Sequence, residues 1–369
     1  MIPVNRPLID PEDIVAVTTA LEAGWVSGEG PIVDQMERAM AKALGVEHCV
    51  AVSSGTAAID VVMSALDISE HDQVIAPATT IISTVSEAAK RGARLQIVDV
   101  DPETWCMSVP QTLEAMDTKT KAVVPVHLFG LAVDLDPIIA KARESDVFLL
   151  EDAAEALGLD YKGVPCGSMG DAGVFSFYAN KIVTGGEGGA ITTNSSHWAS
   201  RFRSFRNLCF DPNERFVHHE LGTNARMPSM TAALVTSQLQ RLASLVETKR
   251  AIGNRYLEGL AGHPWLQLPL KETSTSQNVF WVFGFKLLAD APCDAPTLAT
   301  ELRKRGVDTR RFFFPLHLQP ALIKLGVVDD RSRPVSEDLW QKGLYLPSGL
   351  GNSWDEIDQS IEALWKVSK

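Results

Sequence analysis

Seven short apolar runs, 48–52, 74–76, 95–98, 122–126, 147–150, 174–177 and 190–192, recur along the first half of the chain with stretches of helical periodicity between them. Strands that alternate with helices imply a mostly parallel sheet covered on both faces, an α/β fold. The runs are nearly unbroken, as expected of strands buried on both sides. We expect them to form one seven-stranded large domain over residues 1–244. Helices are expected at 11–23, with Asp10 as N-cap, and at 31–44, stopped by Gly45. A long helical pattern over 228–261 leads into Pro264, Pro269 and a polar segment, 271–278. That shift in composition marks a joint to a smaller α+β C-terminal domain, 245–369, with a strand at 279–288 and helices near 295–305, 335–344 and 354–369.

Composition narrows the class. At 369 residues the chain is long enough for two cores, and no apolar run approaches the ~18 residues of a membrane span. A formal charge of -12 opposes a nucleic-acid partner, because phosphate backbones are bound by basic surfaces. The five cysteines are scattered, never C-x-x-C, and read as reduced thiols of a cytoplasmic protein with no metal site. The N-terminus has no charged head followed by an apolar block, so no secretion signal is expected.

Chemistry concentrates between Val147 and Gly189. The run 147–150 ends in Glu151 and Asp152, and the run 173–178 is followed by Asn180 and Lys181. The glycines from Gly185 to Gly189 forbid a regular helix, so Lys181 sits on a loop with backbone close by. Ligands of open parallel sheets bind at the carboxyl ends of the strands. A lysine and a carboxylate placed there suit pyridoxal phosphate, which needs an amine for its aldehyde and an acid opposite its ring nitrogen. Taken alone, each also suits a surface lysine and a capping aspartate.

The run 48–52 leads into Ser53-Ser54-Gly55-Thr56 and then a helix apolar on nearly every side. Such a helix start is an anion site, or simply a helix capped by Ser54 or Thr56. The glycine-rich turn from Gly24 to Gly30 has no G-K-[ST] and no strand before it, so it does not read as a nucleotide loop.

These residues resemble the DegT/StrS family of pyridoxal-phosphate sugar aminotransferases, which have the aspartate aminotransferase fold (fold type I). The resemblance covers essentially the whole chain. It is carried by S-S-G-T-A-A at 53–58, V-P-V-H-L-F-G at 124–130, E-D-A-A-E-A-L-G at 151–158, F-S-F-Y-A-N-K at 175–181, G-E-G-G at 186–189 and F-F-x-P-L-H at 312–317. It implies that Lys181 bonds the cofactor aldehyde, Asp152 faces the ring nitrogen and Glu155 lies against the ring or its hydroxyl. It also implies that Gly55, Thr56 and Ser176 hold the phosphate. Asn224 matches a phosphate ligand supplied by the neighbouring subunit, which implies a homodimer with shared active sites.

The implied reaction moves an amino group from glutamate to a nucleotide-linked keto sugar. Thr104-Trp105 with Met107-Ser108, Asp211-Pro212-Asn213 and Arg226-Met227 fit the subgroup acting on GDP-4-keto-6-deoxymannose. A dTDP- or UDP-linked 3- or 4-keto sugar is the alternative. A sugar dehydratase of the same fold would replace Lys181, and a non-catalytic sensor would not need the whole constellation.

Arg310, Trp281 and His317 are the candidates for the nucleotide sugar: a guanidinium suits a pyrophosphate and an aromatic edge a sugar or base. For Trp281 the competing reading is a core residue, and for His317 a hydrogen bond within its loop. One departure stands out. Where relatives stack an aromatic residue on the ring, this chain has Ile81.

Overall fold

The computed structural model describes residues 1–367. The seven expected strands form one sheet: β1 (His48–Val52), β2 (Gln73–Pro77), β3 (Arg94–Val98), β4 (Thr120–Val123), β5 (Phe148–Asp152), β6 (Ala172–Ser176) and β7 (Gly189–Thr193), in the order β1-β7-β6-β5-β4-β2-β3. β7 is antiparallel to both neighbours, and all other pairs are parallel. Every residue of β2, β5 and β7 is buried, which is why these strands read as continuous apolar runs.

Alternate side chains face two separate cores. On one face Ala51, Ile75, Val123, Leu149 and Phe175 pack with Met36 and Met40 of α2 (Pro31–Leu44). On the other Val50, Val74, Ala122, Leu150 and Val174 pack with Val61 and Val62 of α3 (Gly55–Ala65) and Ala88 of α4 (Ser83–Lys90). Each aliphatic side chain buried this way contributes roughly 1.5–3 kcal/mol. Gly45 ends α2 in the left-handed conformation (φ 67°), and Asp10 caps the first helix, Pro11–Glu22, as expected.

The pattern at 228–261 is two helices, Ser229–Leu239 and Leu242–Gly259. The chain breaks at Arg241, whose guanidinium turns away to Asp10 and to Asp13 (2.8 Å). The expected boundary at 244/245 falls inside the second of these helices.

Beyond it a four-stranded antiparallel sheet forms from β8 (Leu266–Gln267), β9 (Phe283–Leu287), β10 (Arg310–Arg311) and β11 (Gly343–Leu346), in the order β8-β9-β11-β10. It packs against helices Ala295–Lys304 and Trp354–Val367 through Phe285, Leu302, Leu346 and Ile357. The helix expected at 335–344 is Pro334–Lys342. Residues 368 and 369, included in the last expected helix, lie outside the described residues. The strand expected at 279–288 begins only at Phe283, because Val279 N–H instead donates to Gly130 O (2.9 Å).

The first residues, grouped by sequence with the large sheet, run along the C-terminal unit. Ile2 N–H donates to Gly306 O at 2.7 Å, and Ser348 N–H to Val4 O at 3.0 Å. Among the described residues no helix is long and apolar enough to cross a membrane. The cysteines at 49, 106, 166, 209 and 293 are all free.

Candidate active site

Consecutive strand residues point to opposite faces, and the two acids ending β5 accordingly do different things. Glu151 turns to the side of the loop 167–170, where it accepts backbone N–H bonds from Gly167, Met169 and Gly170, each 2.7 Å. Val133 N–H donates to His127 Nδ1 (3.3 Å), which leaves the ring proton on Nε2 to donate to Glu151 (3.1 Å). Burial opposes ionisation of Glu151, but His127 and these amides hold its pKa below the usual value. Its bonds are structural.

Asp152 faces the other way. It is 3% exposed, and its Oδ2 accepts from Thr84 Oγ1 (3.0 Å) and its Oδ1 from Ala154 N–H (3.2 Å). Burial raises its pKa, opposed by those two donors and by the charge of Lys181. Thr84 is itself 3.0 Å from the hydroxyl of Thr80, so two buried threonines back the carboxylate.

Lys181 follows β6 on a loop tied down at several points. Gly185 N–H donates to Phe177 O (2.9 Å), Asn5 Nδ2 to Ala179 O (3.1 Å) and Trp281 Nε1 to Asn180 O (2.9 Å). Gly188, at φ 127°, lets the chain turn back into β7 where a side chain would be strained. The Lys181 amine lies 3.8 Å from the centroid of the Trp281 ring. Burial lowers its pKa, while Glu155 and Asp152 raise it. These two acids therefore share one environment with the amine.

Glu155 is buried beside them and accepts from Phe129 N–H at 2.8 Å. Burial pushes its carboxyl up to about 7, with Asp152 adding to the rise and Lys181 and the Phe129 amide opposing it. Phe129 holds a left-handed backbone (φ 54°) and centres an aromatic cluster with Trp105, Phe312, Phe313, Tyr345 and Trp281.

At the start of α3 the capping reading and the anion-site reading draw on different donors. Ser54 caps the helix, its Oγ accepting from Ala57 N–H (3.0 Å). The N–H groups of Gly55 and Thr56, in the first turn, have no intrahelical partner. Ser176 stands against this turn: a Cβ on Gly55 would meet its Cβ at 2.9 Å. A helix start, a serine hydroxyl, a buried acid and a lysine amine are the donor set that a phosphorylated pyridine aldehyde requires. The residues fit pyridoxal phosphate.

Of the residues named for the nucleotide sugar, Arg310 is exposed on edge strand β10, paired with Tyr345. Burial pushes the Tyr345 hydroxyl up to about 12, with Arg310 countering and Glu155 adding to the rise. His317 is buried, with Nε2 3.1 Å from Glu337 and Nδ1 without a partner. Its loop is joined to the end of β2 by Leu316 N–H donating to Ala78 O (2.9 Å).

Trp281 is 5% exposed and packs on Lys181 and Phe129. Asn224 is exposed, its Oδ1 accepting from Arg226 Nε (3.0 Å), and it is not joined to Lys181 or Asp152 within the chain. Ile81 is half-exposed in the turn before α4. Sequence reasoning missed Thr84, Phe129, Tyr345 and Asn5; the hydroxyl run Thr79-Thr80-Ser83-Thr84 after a buried strand was the available signal for the first.

The chain is 34% identical over 367 residues to a GDP-perosamine synthase of Caulobacter vibrioides, covering 99% of this chain and 98% of that protein. A GDP-perosamine synthase of Vibrio cholerae is 32% identical, with 97% of each covered. Among solved structures, the aminotransferase TlmJ of Streptoalloteichus hindustanus superposes with TM-score 0.92 at 29% identity, covering 100% of both chains. Spr1654 of Streptococcus pneumoniae, solved in a PLP-form, superposes with TM-score 0.93 at 26% identity, covering 100% of this chain and 98% of that one. Residues 7–365 match the DegT/DnrJ/EryC1/StrS aminotransferase family, and the chain is a member of it.

Proposed function

We propose that this aminotransferase uses pyridoxal phosphate to move an amino group from glutamate to GDP-4-keto-6-deoxymannose, the reaction of a perosamine synthase. The observation that carries the proposal is the buried meeting of Lys181 with Asp152 and Glu155 at the carboxyl end of the sheet, beside the open start of α3. The two GDP-perosamine synthases support the sugar.

Bound pyridoxal phosphate supplies an aldehyde that joins amines and a ring that accepts electrons from the carbon beside them. The chain does the rest. Gly55, Thr56 and Ser176 would hold the phosphate, and Asp152 would keep a proton on the ring nitrogen. Lys181 Nζ, when neutral, takes the α proton of glutamate and carries it away from the α carbon; burial lowers its pKa towards that form, against the pull of Glu155 and Asp152. Glu155 would lie against the ring, and Arg310, exposed on β10, is the guanidinium we assign to the pyrophosphate, whose oxygen pair its fork suits. Asn224, exposed on its own chain, serves the phosphate of a second copy, so that two chains complete each site.

The test is a panel of GDP-, dTDP- and UDP-linked keto sugars incubated with glutamate, read as 2-oxoglutarate released and as product mass. The GDP 4-keto sugar should be aminated, and release of no keto acid with any sugar would refute the reading. Lys181→Ala should lower turnover by roughly 10²–10⁴-fold and abolish the cofactor adduct trapped by borohydride. Asp152→Asn should keep cofactor yet lose most turnover.

A further inference from the structure

We propose that Trp281 is a positioning residue for Lys181: its indole N–H fixes the loop that carries the lysine, and its ring face is the seat of the lysine's ammonium while that side chain holds a proton. This rests on reading Lys181 as the amine that moves the proton.

The indole has no polar group to spare for a substrate. Its Nε1 donates to the carbonyl of Asn180, the residue before Lys181, at 2.9 Å, and the ring is 5% exposed. One neighbour of the ring is the Lys181 amine, 3.8 Å from the centroid. Another is Phe129, stacked at 6.3 Å with 22° between the planes.

The backbone beneath is fixed as well. Val279 N–H donates to Gly130 O at 2.9 Å, and Phe280 N–H to Asn278 Oδ1 at 2.6 Å. Gly130, at φ 94°, passes so close that a Cβ there would lie 2.8 Å from Trp281 N. With that backbone fixed, swinging the indole away would break its bond to Asn180 O and its stack on Phe129.

The chemistry explains why an aromatic face is useful here. When Lys181 takes the α proton, an N–H bond forms as the C–H bond breaks, the electron pair stays with the carbon, and the amine becomes a cation in a buried site. A carboxylate in direct contact would stabilise that cation but would compete for its proton. The negative face of an indole attracts the cation and cannot accept the proton, so the proton stays on Lys181 Nζ for onward delivery instead of being lost to a neighbouring base. Glu155 and Asp152, from β5 and its following turn, act on the amine and favour its charged form; His127 N–H donates to the Asp152 carbonyl at 3.1 Å, and Tyr345 packs on Phe129, whose N–H donates to Glu155.

The test measures Lys181 without turnover. In cofactor-free protein, acylation of Lys181 by acetic anhydride is followed by mass spectrometry across pH, and the midpoint gives the amine's titration. Trp281→Phe, which keeps a ring face, should leave the midpoint near the wild-type value. Trp281→Leu keeps the apolar walls but loses the attraction, and should lower the midpoint by about 0.5–1.5 units. Incorporating 5,7-difluorotryptophan preserves the shape of the ring while draining its face, and should move the midpoint the same way; it guards against misfolding of the leucine variant.

In the loaded enzyme, Trp281→Leu should lower kcat, leave KM for the nucleotide sugar within about 2-fold, and enlarge the isotope effect with α-deuterated glutamate. An unmoved midpoint in both the leucine and the fluorinated proteins overturns the proposal. So does a raised KM for the sugar with kcat preserved, which would make Trp281 a substrate contact. Wild-type protein that releases no 2-oxoglutarate would sink the aminotransferase reading separately, since the acylation midpoint does not depend on turnover.

Discussion

Burial raises the pKa of Asp152, and among the groups that oppose the rise the one side-chain hydrogen-bond donor is Thr84. Removing one hydrogen bond to a buried charge costs roughly 1.5–3 kcal/mol, which amounts to about one to two pKa units. Thr84→Val keeps the shape and removes the donor. The sign follows from the form that works: Asp152 acts ionised, so a higher pKa makes activity fail at a higher pH as the solution is acidified. The acid limb of the kcat profile should therefore move up by about one unit in Thr84→Val and return in Thr84→Ser. A profile identical to wild type would show that Thr84 does not hold the carboxylate. The contrast between these two residues also marks what a sequence discloses. Asp152 is legible because it ends an apolar run 29 residues before a lysine that ends the next arm of the sheet. Thr84 is 68 residues from its partner, and only the parallel crossover brings the two together.

Elements were legible where burial on both faces wrote them into the sequence, as in β1, which runs from His48 to Val52 as expected. They were not legible where a distant residue decides the local conformation. The break at Arg241 depends on Asp10 and Asp13, more than two hundred positions away, and the late start of β9 depends on Gly130. The loop carrying Lys181 belongs to the second kind. Its glycines announced irregular backbone, but not that the N-terminal segment would hold it through Asn5 Nδ2 on Ala179 O. Asn5→Ala removes a bond of ~1 kcal/mol from a loop that must present an amine accurately. We expect kcat to fall several-fold with both KM values nearly unchanged, and amide deuterium exchange to quicken across residues 178–182 in cofactor-free protein. Unchanged exchange in that segment would mean that the clamp is idle.

At the scale of the molecule, the helix Leu242–Gly259 joins the large sheet to the C-terminal unit, and it buries a lysine at the junction. Lys249 is 3% exposed, and its amine donates to the carbonyl of Ser348, beyond the end of β11. Burial alone pushes its pKa from 10.5 down to about 7. Because the folded value lies below the unfolded one, the unfolded chain binds the extra proton between these limits, and stability rises with pH across that window. The penalty is largest below pH 7, on the order of 5 kcal/mol, and fades towards pH 10.5. Lys249→Met fills similar space without a charge, but leaves the Ser348 carbonyl without its donor, at a cost of roughly 1–3 kcal/mol. The first effect is the larger one near neutrality. We therefore expect Lys249→Met to raise Tm by a few degrees at pH 7, and the advantage to shrink and then reverse as the pH approaches 10. Thermal unfolding of both proteins at pH 7, 8.5 and 10 measures this directly. A difference in Tm that stays constant across the series would mean that the amine is charged and solvated in the folded protein, and that the junction between the two units is wetter than its packing implies.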